Sequence, residues 1–457
     1  MPDARATQPG PIGVLGLWHL GSVTAACLAE AGYDVVGVDP DESVVQALRE
    51  GRAPVSEPGL SELIGGAGER LRFSAERDAL ADVSRVWVTF DTPVDDEDNA
   101  DVDHVLGQCE QLLAPLPQGA LVIVSSQLPV GSVARLRALC AARRGADTLR
   151  FACVPENLRL GAALESFRSP DRIVAGVDGE EDREELAELF APFCTEVQWM
   201  RVESAEMTKH ALNSFLATSV AFINEVAAIC ESVGADAAEV SCGLKSERRI
   251  GPGAYLAPGE AFAGGTLARD IGFLRALAER HARPAEVLGG VAAGNAAHKQ
   301  WPRRKLLELL GGEGALADAT VAVWGLTYKP GTDTLRRSSA VELCRWLVER
   351  GAVVRAHDPL VSELPADLAA AVELCQTPLA AATGVSALVL CTAWPEYRDV
   401  AADELIPAMR RPVVIDAAGF AARSLGGRAE LHYVRVGSPG PVDESQGQPV
   451  ASGKASR

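Results

Sequence analysis

The 457-residue chain carries 43 Lys and Arg against 62 Asp and Glu, a net charge of −19, with 47% hydrophobic and 23% charged residues. That is globular composition with ample core material, enough for about three domains, and it excludes disorder of the whole chain. So acidic a chain, with no collected basic patch, repels a phosphate backbone, and no nucleic-acid partner is expected.

The ten cysteines are scattered with no C-x-x-C pair, and no His stands at metal-ligand spacing. Reduced, buried thiols in a cytoplasmic protein without a metal are therefore expected. The first ten residues lack an apolar signal core, and no run is read as approaching a membrane span, so no membrane partner is expected.

In chain order, residues 1–10 are expected to be disordered. Residues 11–39, PIGVLGLWHLGSVTAACLAEAGYDVVGVD, read as strand, glycine turn, helix and strand, the opening of a doubly wound sheet. Short apolar runs follow from Val86, Leu121 and Arg172, with helical stretches between most of them, so 11–202 is expected to form a Rossmann-like domain. Gly16 and Gly21 stand at the first and third positions of G-x-G-x-x-G, and Asp39 follows the second strand. Such a turn aims helix N–H groups at a pyrophosphate, while the acid holds ribose hydroxyls and favours NAD over NADP. Trp18 replaces the middle glycine, so its indole must turn elsewhere as the chain passes through His19 and Leu20. The alternative is a domain that kept its fold and lost its dinucleotide.

Residues 203–230 contain no Gly or Pro and are apolar around most of a helical wheel, which predicts a long helix buried between domains or against another subunit. Helical pattern continues over 268–311 until Gly311-Gly312, giving a helical middle region at 203–312. At 319 the opening pattern returns as ATVAVWGLTYKPG, a helical stretch with Leu343 and Leu347, and GAVVRAHDP. A second Rossmann-like domain is expected over 313–437, then a disordered tail at 438–457. The fold class is α/β: two doubly wound domains joined by a long central helix and a helical middle.

Several segments occur in a telling order: EPGL (57–60), DTP (91–93), SSQLPVGS (125–132), PENLRLG (155–161), PDR (170–172), AEMTKHALNSFLA (205–217), RIG (249–251), GLTYKPGTDTLRRS (325–338) and VVID (413–416). In number, spacing and order they resemble the UDP-glucose/GDP-mannose dehydrogenase family, over about residues 11–436. The resemblance implies an N-terminal NAD domain, a C-terminal domain for the nucleotide end of the sugar, and a homodimer formed through the central helix. It also implies oxidation of a nucleotide sugar at its C6 alcohol, through an aldehyde to a uronic acid, in two hydride transfers.

Carried over residue by residue, Lys209 and Asn213 match the family's catalytic pair. Their i, i+4 spacing puts both on one helix face, where an ammonium and an amide can stabilise an alkoxide. The bland reading is a snorkelling Lys and an Asn that ties helices together. Glu156 matches a Glu that supports proton transfer, and Asp270 an Asp that positions water, although the apolar pattern after Asp270 also suits a helix N-cap. Thr92, Gln127 and Arg336 fall at cofactor-side or boundary positions, and Arg159, Arg249, Tyr255, Gly259 and Lys329 at substrate positions.

The pattern breaks where the family reads G-F-G-G-S-C-F-P-K-D. Here 261–270 read AFAGGTLARD, and Thr266 occupies the place of the nucleophilic cysteine. A thiol ionises near pH 8.5 and is readily activated, whereas a threonine hydroxyl is a far weaker acid crowded by its methyl group. Cys242 lies nearest upstream, and nothing marks it as a replacement. Gln127 replaces a Thr, Leu160 a Glu, Arg269 a Lys, and Asp-Ala-Ala-Gly at 416–419 lacks the Arg of the family's D-G-R-N. The expected reaction is a two-electron oxidation, or a redox-neutral one in which NADH returns the hydride. The alternatives are full oxidation through an aldehyde hydrate, with water held near Asp270, and a non-catalytic nucleotide-binding homologue.

Overall fold

The apolar runs at Ile12–Leu15, Val35–Val38 and Arg85–Val88 form strands buried on both faces, as parallel strands covered by helices must be, whereas the run at Val353–His357 starts on an exposed valine. The computed structural model describes residues 10–439 except 94, 96–99, 147, 157 and 264. Residues 1–9 and 440–457, expected as disordered ends, lie outside the described residues.

The chain divides into two compact units, residues 1–212 and 213–457. In the first, β1 (Ile12–Leu15), β2 (Val35–Val38), β3 (Leu71–Ser74), β4 (Arg85–Val88), β5 (Ala120–Val124), β6 (Leu149–Cys153), β7 (Ile173–Gly176) and β8 (Val197–Met200) form one sheet. Its order is β3-β2-β1-β4-β5-β6-β7-β8, parallel except where Cys153 of β6 meets Gly176 of β7 in antiparallel register. The order reverses between β1 and β4, which places a ligand crevice at the carboxyl ends of those strands.

The second unit repeats the plan with β9 (Thr320–Trp324), β10 (Val353–His357), β11 (Val372–Leu374), β12 (Ala387–Leu390), β13 (Val413–Asp416) and β14 (His432–Val434), in the order β11-β10-β9-β12-β13-β14. The repetition reaches single hydrogen bonds. Leu17 N–H donates to Asp39 Oδ2 at 2.7 Å, and Leu326 N–H donates to Asp358 Oδ2 at the same distance. Asp358, however, is buried and also takes the Thr327 N–H, the Trp394 indole N–H and the Leu360 N–H. The second copy's acid is consumed by its own fold, while Asp39 stays half-exposed.

The central helix spans Val202–Val233. Of its expected burial, between domains or against another subunit, neighbours within the chain supply only part: Phe215, Phe222, Ile229 and Val233 are 69%, 50%, 58% and 68% exposed in the chain. A helix apolar on every side has more surface than the neighbours within this chain cover. By length and composition alone it is also apolar enough to cross a membrane, with mean hydropathy 1.4, which corrects the reading that no run reaches span length. The ten cysteines are all free thiols, seven of them buried.

Candidate active site

In the first unit the turn after β1 is built for close approach. Gly16 has φ +86°, and a Cβ there would lie 2.6 Å from the Phe90 ring. A Cβ on Gly21 would fall 1.8 Å from the Gly16 carbonyl oxygen, so only glycine lets the helix His19–Glu30 start against the strand. Trp18 has φ −72°, a value any residue adopts, and its indole is 47% exposed. The missing middle glycine thus costs the backbone nothing. Asp39 closes the turn by accepting N–H groups from Leu17 and, at 2.9 Å, Asp41; each carboxylate oxygen keeps a lone pair for a ribose hydroxyl. Leu20 sits half-buried in the first helical turn.

His19 Nε2 lies 3.0 Å from Glu57 Oε2, and Glu57 also accepts the N–H groups of Gly161 and Ala163, both at 2.8 Å. Burial opposes ionisation of Glu57, but these donors outweigh it and hold the carboxyl below its usual range. One acid therefore ties the cofactor turn to the segment after Glu156. The sequence offers EPGL as a motif without a partner, so this role was missed.

Lys209 lies in the second turn of the central helix, and its Nζ donates to the Glu156 carbonyl at 2.5 Å. The turns around it are pinned. Glu206 accepts N–H groups from Gly131 at 2.7 Å and Val133 at 2.9 Å, and His210 Nε2 meets the Leu128 carbonyl at 2.8 Å. Burial pushes the Glu206 carboxyl up in spite of those donors. Lys209, Glu156, Gln127 and Ser126 line one cavity of about 390 Å³. Thr92 is buried beside it and donates its hydroxyl to the Gln127 carbonyl at 2.8 Å. Arg159 is exposed.

In the second unit Asn213, one helical turn beyond Lys209, donates its amide to Asp270 Oδ2. Asp270 is fully buried at the fifth position of the helix Thr266–Arg280. The N-cap alternative is corrected, because Gly265 caps that helix and Asp270 lies one turn inside it. Ala217 and Ala221 of the central helix pack against Ile271, which fixes the approach of Asp270. Thr266 is exposed at the first helical position, and its hydroxyl makes no hydrogen bond with a described residue. Gly259 is buried, with its N–H on Asn224 Oδ1 at 2.9 Å and its carbonyl 2.7 Å from His298 Nε2.

The remaining substrate-side residues are spread out. Arg249 is exposed with its Nε on Glu247 at 3.0 Å, and Tyr255 is exposed. Lys329 lies 5.5 Å from the centre of the Tyr328 ring, and Arg336 is exposed in the same segment after β9. Asp416, buried at the end of β13, accepts from the Phe420 and Ala421 N–H groups and the Tyr433 hydroxyl. Sequence reasoning did not find Glu57, Glu206, His210, Asn224, Asn295 or His298, whose partners lie tens of residues away.

Three family models match the chain: the NAD binding domain of the UDP-glucose/GDP-mannose dehydrogenase family over residues 11–194, its central domain over 203–297, and its UDP binding domain over 322–423. A UDP-glucose 6-dehydrogenase from Pseudomonas aeruginosa is 35% identical over 93% of this chain and 97% of that protein. One from Rhizobium meliloti is 32% identical over 94% and 99%. The solved UDP-glucose dehydrogenase from Pyrobaculum islandicum superposes with a TM-score of 0.84 at 30% identity, covering 96% of this chain and all of that one.

Proposed function

The chain belongs to the UDP-glucose/GDP-mannose dehydrogenase family, and from that membership we propose that it carries out a single two-electron oxidation of a nucleotide sugar, or a redox-neutral reaction through the same step. It is an NAD-dependent oxidoreductase acting on a CH–OH group. The residues present fit NAD: Gly16 and Gly21 leave a cradle that a Cβ would fill, and Asp39 stands beside it. Bound NAD supplies a hydride acceptor for the alcohol carbon. Lys209 and Asn213 hold the oxygen of that carbon as negative charge develops on it, and Glu156 takes the departing hydroxyl proton. Asp270 fixes the Asn213 amide in the orientation that donates.

One observation supports the two-electron reading. Among the described residues Thr266 has no hydrogen-bonded base to raise its nucleophilicity, so none of them activates its hydroxyl for a covalent second step. The test is the number of NADH formed per UDP-glucose consumed, with the sugar product weighed by mass spectrometry. One NADH and an aldehyde are expected; two NADH and a uronic acid would replace this reading with hydrate chemistry. No NADH, with tight nucleotide binding, would point to the non-catalytic homologue.

The chain acts as a homodimer in the cytoplasm. Phe215, Phe222 and Ile229 recur every seven residues, which sets them along one exposed helix face, and both phenylalanines keep apolar surface for a partner to bury. A second copy of the same helix is the partner that such a stripe fits, and the ten free thiols suit a reducing compartment. Light scattering should give a dimer for the wild type and a monomer for a Phe215→Asp, Phe222→Asp double variant. A monomeric wild type would refute the pairing.

A further inference from the structure

The segment 256–262, just before the helix that carries Thr266 and Asp270, is held by three buried side chains. Asn224 takes the Gly259 N–H and donates its amide to the Glu260 carbonyl at 3.1 Å. His298 donates from Nε2 to the Gly259 carbonyl, and burial lowers the pKa of its imidazole. Asn295 closes a pair of bonds with Phe262, accepting its N–H at 3.0 Å and donating to its carbonyl at 2.9 Å. Buried polar side chains cost free energy unless satisfied, so two amides and an imidazole spent on one short loop hold its backbone in place.

What this clamp presents is Glu260. Its carboxylate makes no hydrogen bond or ion pair with any described residue. It borders an open crevice lined by Val389, Leu390 and Ile415, at the carboxyl ends of β12 and β13, and by the charged side chains of Lys299, Arg303 and Glu342. Glu260 is exposed to solvent, while desolvation of its carboxyl by the surrounding protein, with Asp416 second, raises it to about 7. Asp416 cannot serve a ligand, since Phe420, Ala421 and Tyr433 already occupy it. The crevice lies beside the point where strand order reverses between β9 and β12, the usual ligand position in such a sheet. A clamped acceptor without a protein partner, over an apolar floor, is completed by a flat ring that brings its own N–H groups.

We propose that Glu260 is a specificity-determining residue that reads the N–H edge of the ligand's base, so that this unit takes a guanine nucleotide in preference to a uracil one. The inference rests on the reading that the second unit binds the nucleotide end of the substrate. A carboxylate offers acceptors alone. Guanine meets it with two adjacent donors, N1–H and the exocyclic amine, whereas uracil has a single N–H flanked by two carbonyl oxygens that repel it. Cytosine, with one amine beside an acceptor nitrogen, falls between. Lys299 on the rim supplies positive charge for the phosphates.

The test is calorimetric titration of the full chain with GDP, CDP and UDP at pH 8, where Glu260 is ionised. GDP is expected to bind about tenfold or more tightly than UDP, as a two-donor match to a carboxylate implies. The near-isosteric Glu260→Gln should lose that preference while NADH binding and the melting temperature stay at wild-type values. UDP binding as tightly as GDP, a GDP preference that survives in Glu260→Gln, or no binding of any of the three would overturn the proposal. NADH formation from UDP-glucose and GDP-mannose is followed in parallel. A GDP preference without turnover leaves this inference standing and removes the proposed oxidation; turnover of UDP-glucose with UDP preferred does the reverse.

Discussion

Replacing Gly21 by alanine is expected to abolish measurable NAD binding. The new methyl group would sit 1.8 Å from the Gly16 carbonyl oxygen and 2.7 Å from Thr89 Oγ1. Neither neighbour can retreat. The Gly16 carbonyl belongs to a turn fixed at φ +86°, and the Thr89 hydroxyl is held at 2.8 Å by both the Leu15 and Gly16 carbonyls. The helix His19–Glu30 must therefore shift away from β1, which carries its first N–H groups off the line on which they would meet a pyrophosphate. Overpacking of this kind costs about 3 kcal/mol or more, a loss of over a hundredfold in binding if it falls on the bound state. NADH fluorescence titration, with thermal melts beside it, separates lost binding from lost folding. A variant that binds NADH as well as the wild type would remove this turn from the cofactor site.

Lys209→Met is the second large effect. Methionine keeps the apolar stem but removes the ammonium that donates to the Glu156 carbonyl. Because Glu206 and His210 pin the helix on either side, the backbone at 209 should stay in place. Removing one preorganised donor from a developing oxyanion lowers kcat by about 10²–10³. That loss should appear in kcat measured on any nucleotide sugar that turns over, with the NADH dissociation constant unchanged. A lysine that merely snorkels would move the melting temperature and spare kcat, and that outcome would dismiss it from the chemistry.

Local chemistry was legible in the sequence and long-range chemistry was not. Strands such as Ile12–Leu15 and Thr320–Trp324 announce themselves, because a buried parallel strand must be apolar throughout and a turn must follow it. Lys209 and Asn213 are proposed from the family resemblance, and what the residues themselves show is their i, i+4 spacing on one helix. Glu57 was not, since its partners Gly161 and Ala163 lie about a hundred residues downstream and are backbone N–H groups that any residue possesses. Asn224, Asn295 and His298 escaped for the same reason: a side chain that satisfies distant backbone leaves no periodic trace. The central helix is the complementary case. Its composition reported how much apolar surface exists, and only the folded chain reports how much is left uncovered at Phe215 and Ile229.

The free thiols have a bearing on durability. Burial pushes the Cys27 thiol up to about 12 and raises Cys109, Cys153 and Cys344 as well, so these sulfurs stay protonated and inert. Cys242 is exposed on the helix Ala237–Ser246, and no step of the proposed oxidation passes through it. A centre that moves a hydride without a thiolate offers peroxide and alkylating electrophiles no nucleophile to poison. The proposed oxidation therefore predicts that turnover survives a dose of peroxide that would silence a cysteine-dependent catalyst.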